Sequence, residues 1–83
     1  MNPVYLKQYI ERAIKEEAYL KIDYVDSKMK ISKDRIVQPL ELKKDKETDE
    51  YDRVVAQDMG KDDLRSFLFE GIQKCQVANL NEL

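Results

Sequence analysis

Three arginines carry the side chains whose type and setting suggest chemistry in this sequence: Arg35, Arg53 and Arg65. Arg65 stands two residues before Phe67, so a strand beginning there holds a fixed cation beside an aromatic ring. A guanidinium presents a planar fork that makes paired hydrogen bonds to phosphate oxygens, and Tyr24, Tyr51 or Phe67 supplies a ring on which a base can stack. Such a set recognises a single-stranded nucleic acid or a nucleotide-like anion. Asp34, Asp52, Asp58, Asp63 and Glu70 lie close in sequence, and for any one arginine an internal ion pair is the more ordinary outcome. Arg65 stands apart because it sits at the mouth of a β-hairpin, between the run Arg53–Asp58 and a second apolar run from Ser66 to Val77 that Gly71 interrupts.

Turnover chemistry has no such set. Histidine is absent, Gly60 and Gly71 are isolated rather than part of a phosphate loop, and no serine or cysteine stands beside a base. The lone Cys75 follows Lys74, but it reads as a small strand residue, and it has no second cysteine for a disulfide or a zinc set. The run from Lys44 to Glu50 is rich in carboxylates yet lacks calcium-loop spacing, and reads as a solvated loop. The expectation is a non-enzymatic chain with no catalytic residue, no cofactor and no metal.

The 83 residues make one domain, spanning 1–83, large enough for one small core. Hydrophobic residues at 42% suffice to fold it, and a net charge of −2 gives no bulk attraction to a polyanion, so anion binding has to come from a local patch. No uninterrupted apolar stretch approaches the roughly 18–20 residues of a membrane span, and Lys7, Glu11 and Arg12 break up the N-terminus as a leader. A cytoplasmic protein without membrane contact is expected.

The elements that must position the arginines follow from periodicity. Asn2-Pro3 opens a helix over about 3–17, with Leu6, Ile10, Ala13 and Ile14 on one stripe, Tyr5 and Tyr9 at its edge, and Glu11 paired with Lys15. The period then drops to two: Leu20, Ile22 and Tyr24 alternate with Lys21, Asp23 and Val25 in a first strand. After the Asp26-Ser27-Lys28 turn, Met29 to Leu42 is extended, bent at Ser32–Asp34, and Pro39 makes Arg35–Leu42 an edge or corner, or places a bulge there. Residues 43–52 read as an exposed charged loop. Four to five short twisted strands hide their edges best by closing, so the fold expected is mainly β with an N-terminal helix, a small barrel over about 19–77 with a short tail over 78–83. Leu80 and Leu83 tie that tail down only if they dock.

In this order the segments resemble the WYL domain family, small Sm-like or SH3-like β-barrels found mostly in bacterial and phage regulators. The likeness runs over about residues 6–77. It rests on Ala13-Ile14 closing the helix, Leu20–Tyr24, Arg35-Ile36-Val37-Gln38-Pro39-Leu40-Glu41-Leu42, Val54–Asp58, and Arg65-Ser66-Phe67 with Ile72. The resemblance implies a ligand-sensing domain of transcription regulation with a basic pocket. Asp52 and Arg53 stand where the family's Trp and Tyr fall, with Tyr51 beside them, and Leu68 and Gly71 replace further arginines, so that pocket is thinned. The other reading is a protein-interaction adaptor, including a homodimer, that uses a barrel edge or the tyrosine-bearing helix side.

Overall fold

A computed structural model describes residues 2–78. Helix α1 runs Pro3–Lys15 and starts as its sequence dictates: the Asn2 side-chain oxygen accepts from the Val4 N–H at 2.9 Å, with proline in the first helical turn. It stops two residues short of the expected end. Glu17 takes a left-handed φ of 55°, which lets its N–H and that of Ala18 reach back to the carbonyls of Ile14 and Ala13. Leu6, Ile10 and Ala13 are buried and Ile14 packs beside them. Glu11 pairs with Lys7 at 3.0 Å rather than with Lys15. Of the two tyrosines at the stripe's edge, Tyr9 packs on the core, while Tyr5 points to solvent.

Five antiparallel strands follow, β1 (Tyr19–Val25), β2 (Ile31–Lys44), β3 (Tyr51–Asp58), β4 (Asp63–Leu68) and β5 (Ile72–Ala78), in the order β4-β3-β2-β1-β5. Residues alternate buried and half-buried along β1, with Leu20, Ile22 and Tyr24 inside as their spacing requires. The fold is thus the expected mainly-β domain with one N-terminal helix.

Three expectations need correcting. The second limb of the hairpin is interrupted at Gly71 as expected, by a 3-10 turn at Phe69–Gly71, but the two strands it separates, β4 and β5, lie on opposite edges of the sheet rather than in one limb. Gly71 is required there because a Cβ would lie 2.4 Å from the Val25 carbonyl oxygen and 2.6 Å from Cε1 of the Tyr24 ring. Secondly, β2 is the central strand rather than an edge or corner, and of the alternatives that Pro39 left open it is the bulge that forms. Pro39 is accommodated by a bulge, since the register steps from Pro39↔Ala56 to Glu41↔Val55 and leaves Leu40 unpaired. Finally, the charged loop is shorter than its composition suggests: Lys43 and Lys44 continue β2, Tyr51 and Asp52 begin β3, and only residues 45–50 connect them.

A second irregularity in β2 falls where a bend was expected. Between Ile22↔Arg35 and Tyr24↔Ser32 the strand carries an extra residue, with Asp34 at φ 54° and its N–H donating to the Asp23 carboxylate at 2.9 Å. These bulges curl the sheet. Tyr24 on β1 shows how far: its hydroxyl accepts from the Leu68 N–H of β4 at 3.1 Å, and its ring meets Phe67 edge-on at 5.0 Å. In a flat sheet β1 and β4 are three strand spacings, about 14 Å, apart. The sheet therefore wraps around Leu20, Val37, Phe67 and Ile72, with α1 over the opening, although the ladder does not continue from β4 to β5. Leu80 and Leu83 lie outside the described residues.

Candidate functional site

The structure splits the three arginines between two ends of β3. Arg35 and Arg65 lie at the Asp58 end, and Arg53 is five residues back, roughly 17 Å along an extended strand. Every one of them is met by an aspartate.

Arg35 leaves the bulged part of β2 and is largely buried. Its Nε donates to Oδ2 of Asp58 at 3.2 Å, a terminal nitrogen donates to the same oxygen, and the other reaches Ser32 Oγ at 3.1 Å. The guanidinium lies 4.9 Å from the centre of the Phe67 ring. Asp58 is 3% exposed, and its second oxygen accepts from the Gly60 N–H at 3.0 Å and the Lys61 N–H at 3.3 Å, fixing the β3–β4 turn. Burial alone raises the pKa of Asp58; the hydrogen bonds and charge of Arg35, with the two turn amides, outweigh it and hold the carboxyl below its ordinary range. Arg35 is thus a strut between β2 and the turn.

Arg65 is more exposed. Its fork rests on Asp63, with Nε 3.1 Å and a terminal nitrogen 3.4 Å from the two carboxylate oxygens. With Tyr24, Ser32 and Arg35 it lines a cleft of about 180 Å³ between the β1–β2 turn and the β3–β4 turn. Two further cations line the cleft, Lys30 and Lys61, and neither has an ion-pair partner among the described residues. Asp26 stands at its edge with one carboxylate oxygen already taken by the Lys28 and Lys30 backbone N–H groups, each at 2.9 Å.

Sequence reasoning missed both lysines. They belong to two turns about thirty residues apart, and only the curl of the sheet brings those turns together. Conversely, Tyr24 and Phe67 are core residues: Tyr24 is 8% exposed and Phe67 1%, so neither ring offers a free face to a base.

At the other end of β3 the Arg53 fork closes on its neighbour Asp52, at 2.8 and 3.0 Å, with Asp45 of the loop 3.9 Å away. The hydrogen bond from Arg53 holds the Asp52 carboxyl below its usual range, and Asp52 in turn raises Arg53. These two residues border a larger cavity, about 610 Å³, floored by Leu6, Leu68, Phe69 and Ile72 and carrying Glu50 and Glu70 on its rim. Tyr51 stands on its wall with ring faces engaged by cations, Lys7 at 5.0 Å and Lys44 at 5.1 Å from the centroid. The arrangement therefore brings Arg35, Arg65 and Tyr24 to one small basic cleft, and Arg53 and Tyr51 to a distant acidic one.

Among the described residues no group of histidine, cysteine, aspartate or glutamate side chains could hold a metal ion, and no helix is long and apolar enough to cross a membrane. Burial pushes the Cys75 thiol up to about 11, which leaves it protonated and unreactive at neutral pH.

Comparison with protein-family models matches residues 6–77 to the WYL domain. Among solved structures, the fold is similar to proteasome accessory factor B/C (PafBC) of Arthrobacter aurescens, with a TM-score of 0.69 and 20% identity over 95% of this chain. The chain spans 12% of the length of that protein. A search of curated proteins returns no match.

Proposed function

Since this chain belongs to the WYL domain family, we propose that it is a non-enzymatic, ligand-sensing regulatory module whose ligand presents an anionic group, the phosphate of a nucleotide or of a nucleic-acid strand, to the cleft beside Arg65. One observation carries this reading. Lys30 and Lys61, without ion-pair partners among the described residues, line the same cleft as Arg35 and Arg65, whose forks are already oriented by Asp58 and Asp63. An incoming phosphate meets two uncommitted ammonium groups first and can share the guanidinium of Arg65 with Asp63.

The size of the cleft sets what it reads. About 180 Å³ accepts a phosphate group but falls below the 300–1,000 Å³ common for whole small molecules, and no ring lining it has a free face. The base and sugar therefore remain outside, and binding is indifferent to base identity. With a net charge of −2 on the chain, the attraction is local to these side chains.

The adaptor reading finds less support at the strand edges. The outward N–H of Leu68 on β4 is taken by the Tyr24 hydroxyl, and that of Val77 on β5 by the Tyr9 hydroxyl at 2.7 Å, so part of each edge is already satisfied.

The test is a low-salt titration of the native chain with inorganic pyrophosphate and with a thymidine dodecamer, followed by backbone amide NMR. Saturable shifts are expected at residues 28–32 and 59–65. A chain carrying both Lys30→Ala and Lys61→Ala should bind at least tenfold more weakly and with a salt slope lower by about 2. Because both lysines are exposed, the fold should survive the change. Absence of shifts, or shifts unaltered in the double variant, rejects the site.

A further inference from the structure

Strand β4 ends the sheet, and its outer edge is only partly covered. Its pairing with β3 runs without a slip from Asp58↔Asp63 to Arg53↔Leu68, so alternate residues turn their backbone groups toward β3 and away from it. The Leu68 N–H points outward, to the Tyr24 hydroxyl, and Ser66 and Leu64 therefore point outward as well. Among the described residues nothing meets the N–H or C=O of either. Residues 61–66 are all exposed, Leu64 to 61%.

The two edges of the sheet differ in how they treat a second strand. On β5 an exposed Lys74 and the extra residue Gln73, which breaks the register with β1, both turn such a strand away. The register of β4 is unbroken, and its side chains are complementary to themselves. Laid antiparallel to a second copy about Leu64, it sets Leu64 against Leu64 in a pair that exchanges two backbone hydrogen bonds, and Asp63 against Arg65 on both sides of the axis. Sliding the second copy by two residues in either direction brings Asp63 onto Asp63 or Arg65 onto Arg65, and like charges directly opposite each other repel. A slide of one residue sets outward groups against inward ones and forfeits the hydrogen bonds. Charge and backbone thus select a single register. Asp63 and Arg65 are already held side by side by their fork, at 3.1 and 3.4 Å, so the alternating charges stand ready on one face.

We propose that the open part of β4 is a self-association edge, whose partner is a second copy of this chain paired antiparallel about Leu64. The contact covers the two Leu64 side chains on one face of the joined sheets and sets two aspartates and two arginines in alternation on the other. The twofold axis of such a pair stands perpendicular to the sheet, so both copies present Arg65 on the same face and their two basic clefts border one axis. Only about five residues of each copy meet, which makes the dimer a weak and transient one, with a dissociation constant on the order of a millimolar. The edge does not depend on anion binding.

The test is sedimentation equilibrium of the native chain from roughly 10 μM to 2 mM, a range that brackets that constant, with amide NMR over the same dilution. A monomer–dimer equilibrium is expected, with concentration-dependent shifts confined to residues 62–67. Asp63→Arg and Arg65→Asp, both at exposed positions where the fold should survive, each oppose like charges across the axis and should each weaken association about tenfold. Mixed in equal amounts, the two variants should pair with each other at least as well as the native chain pairs with itself. Leu64→Pro removes the outward N–H without touching a hydrogen bond to β3 and should abolish the dimer. The Lys30→Ala, Lys61→Ala variant should associate as the native chain does, so that failure of the anion cleft and failure of this edge are read separately. A native chain that stays monomeric across the range overturns the proposal, even if an added extended peptide shifts its β4 amides. So does a dimer that the two charge variants leave unchanged, or a mixture that associates no better than its parts.

Discussion

Arg35 with Asp58 and Arg53 with Asp52 join the same two functional groups at opposite ends of one strand, and they serve different ends. The first pair is enclosed: Arg35 is covered by Phe67 and Ser32, and Asp58 by the turn whose amides it accepts. The second lies open on the rim of a cavity. Enclosure removes the water that would otherwise compete, so breaking the inner pair strands a charge, whereas the outer pair exchanges its partner for solvent at little cost. A guanidinium–carboxylate fork is thus a structural strut or a surface ornament according to what surrounds it.

The sharpest way to break that distinction is to remove the carboxylates one at a time. Asp58→Ala should destabilise the fold by about 3–5 kcal/mol, because it leaves Arg35 uncompensated and the β3–β4 turn without its acceptor, as read from urea unfolding. A loss under 1 kcal/mol would show that the inner pair is no strut. Acid probes the same pair without mutation. The carboxyl of Asp58 is held below its unfolded value, so its contribution is complete above that value, near pH 4, and is lost as pH falls through the lower folded value. Unfolding midpoints should therefore be flat from pH 7 to about 5 and decline below about 4, and the decline should be blunted in Asp58→Asn.

Smaller effects come from the parts that frame the pair. Tyr24→Phe keeps the ring against Phe67 but leaves the Leu68 N–H without its acceptor, and should cost about 0.5–1.5 kcal/mol by thermal unfolding. Last in order is Arg53→Ala, which should leave the unfolding midpoint within error. Its signature is local: side-chain NMR should show the Asp52 carboxyl titrating at a higher pH, nearer its ordinary value, once the Arg53 hydrogen bond is gone. A large drop in stability there would erase the difference between the two pairs.

Local signals carried the sequence reading as far as they extend. The period change at Glu17, the alternation of Leu20, Ile22 and Tyr24, and the bend at Asp34 are written in neighbouring residues, and so is the Asp52–Arg53 pair. What failed depends on distance. Gly71 marks a break in the last run, but only the approach of Tyr24 and Val25 makes that break a passage from one edge of the sheet to the other. Pro39 announces an edge, a corner or a bulge, and only the pairing of β2 with both β1 and β3 selects the bulge at Leu40. In the same way Lys30 and Lys61 carry no pattern of their own, whereas Arg65 was singled out by its place beside Phe67 and does line the cleft.

The hydroxyls of Tyr9 and Tyr24 give the domain a property out of proportion to their size. A phenylalanine at either position fills the same space, so the exchange looks mild, yet it uncovers a donor on the outer rim of β5 or β4 that another chain can meet with a carbonyl. The two hydroxyls thus cover part of each open edge, and Tyr9→Phe or Tyr24→Phe should raise the tendency of one molecule to template another, read as light scattering at rising concentration.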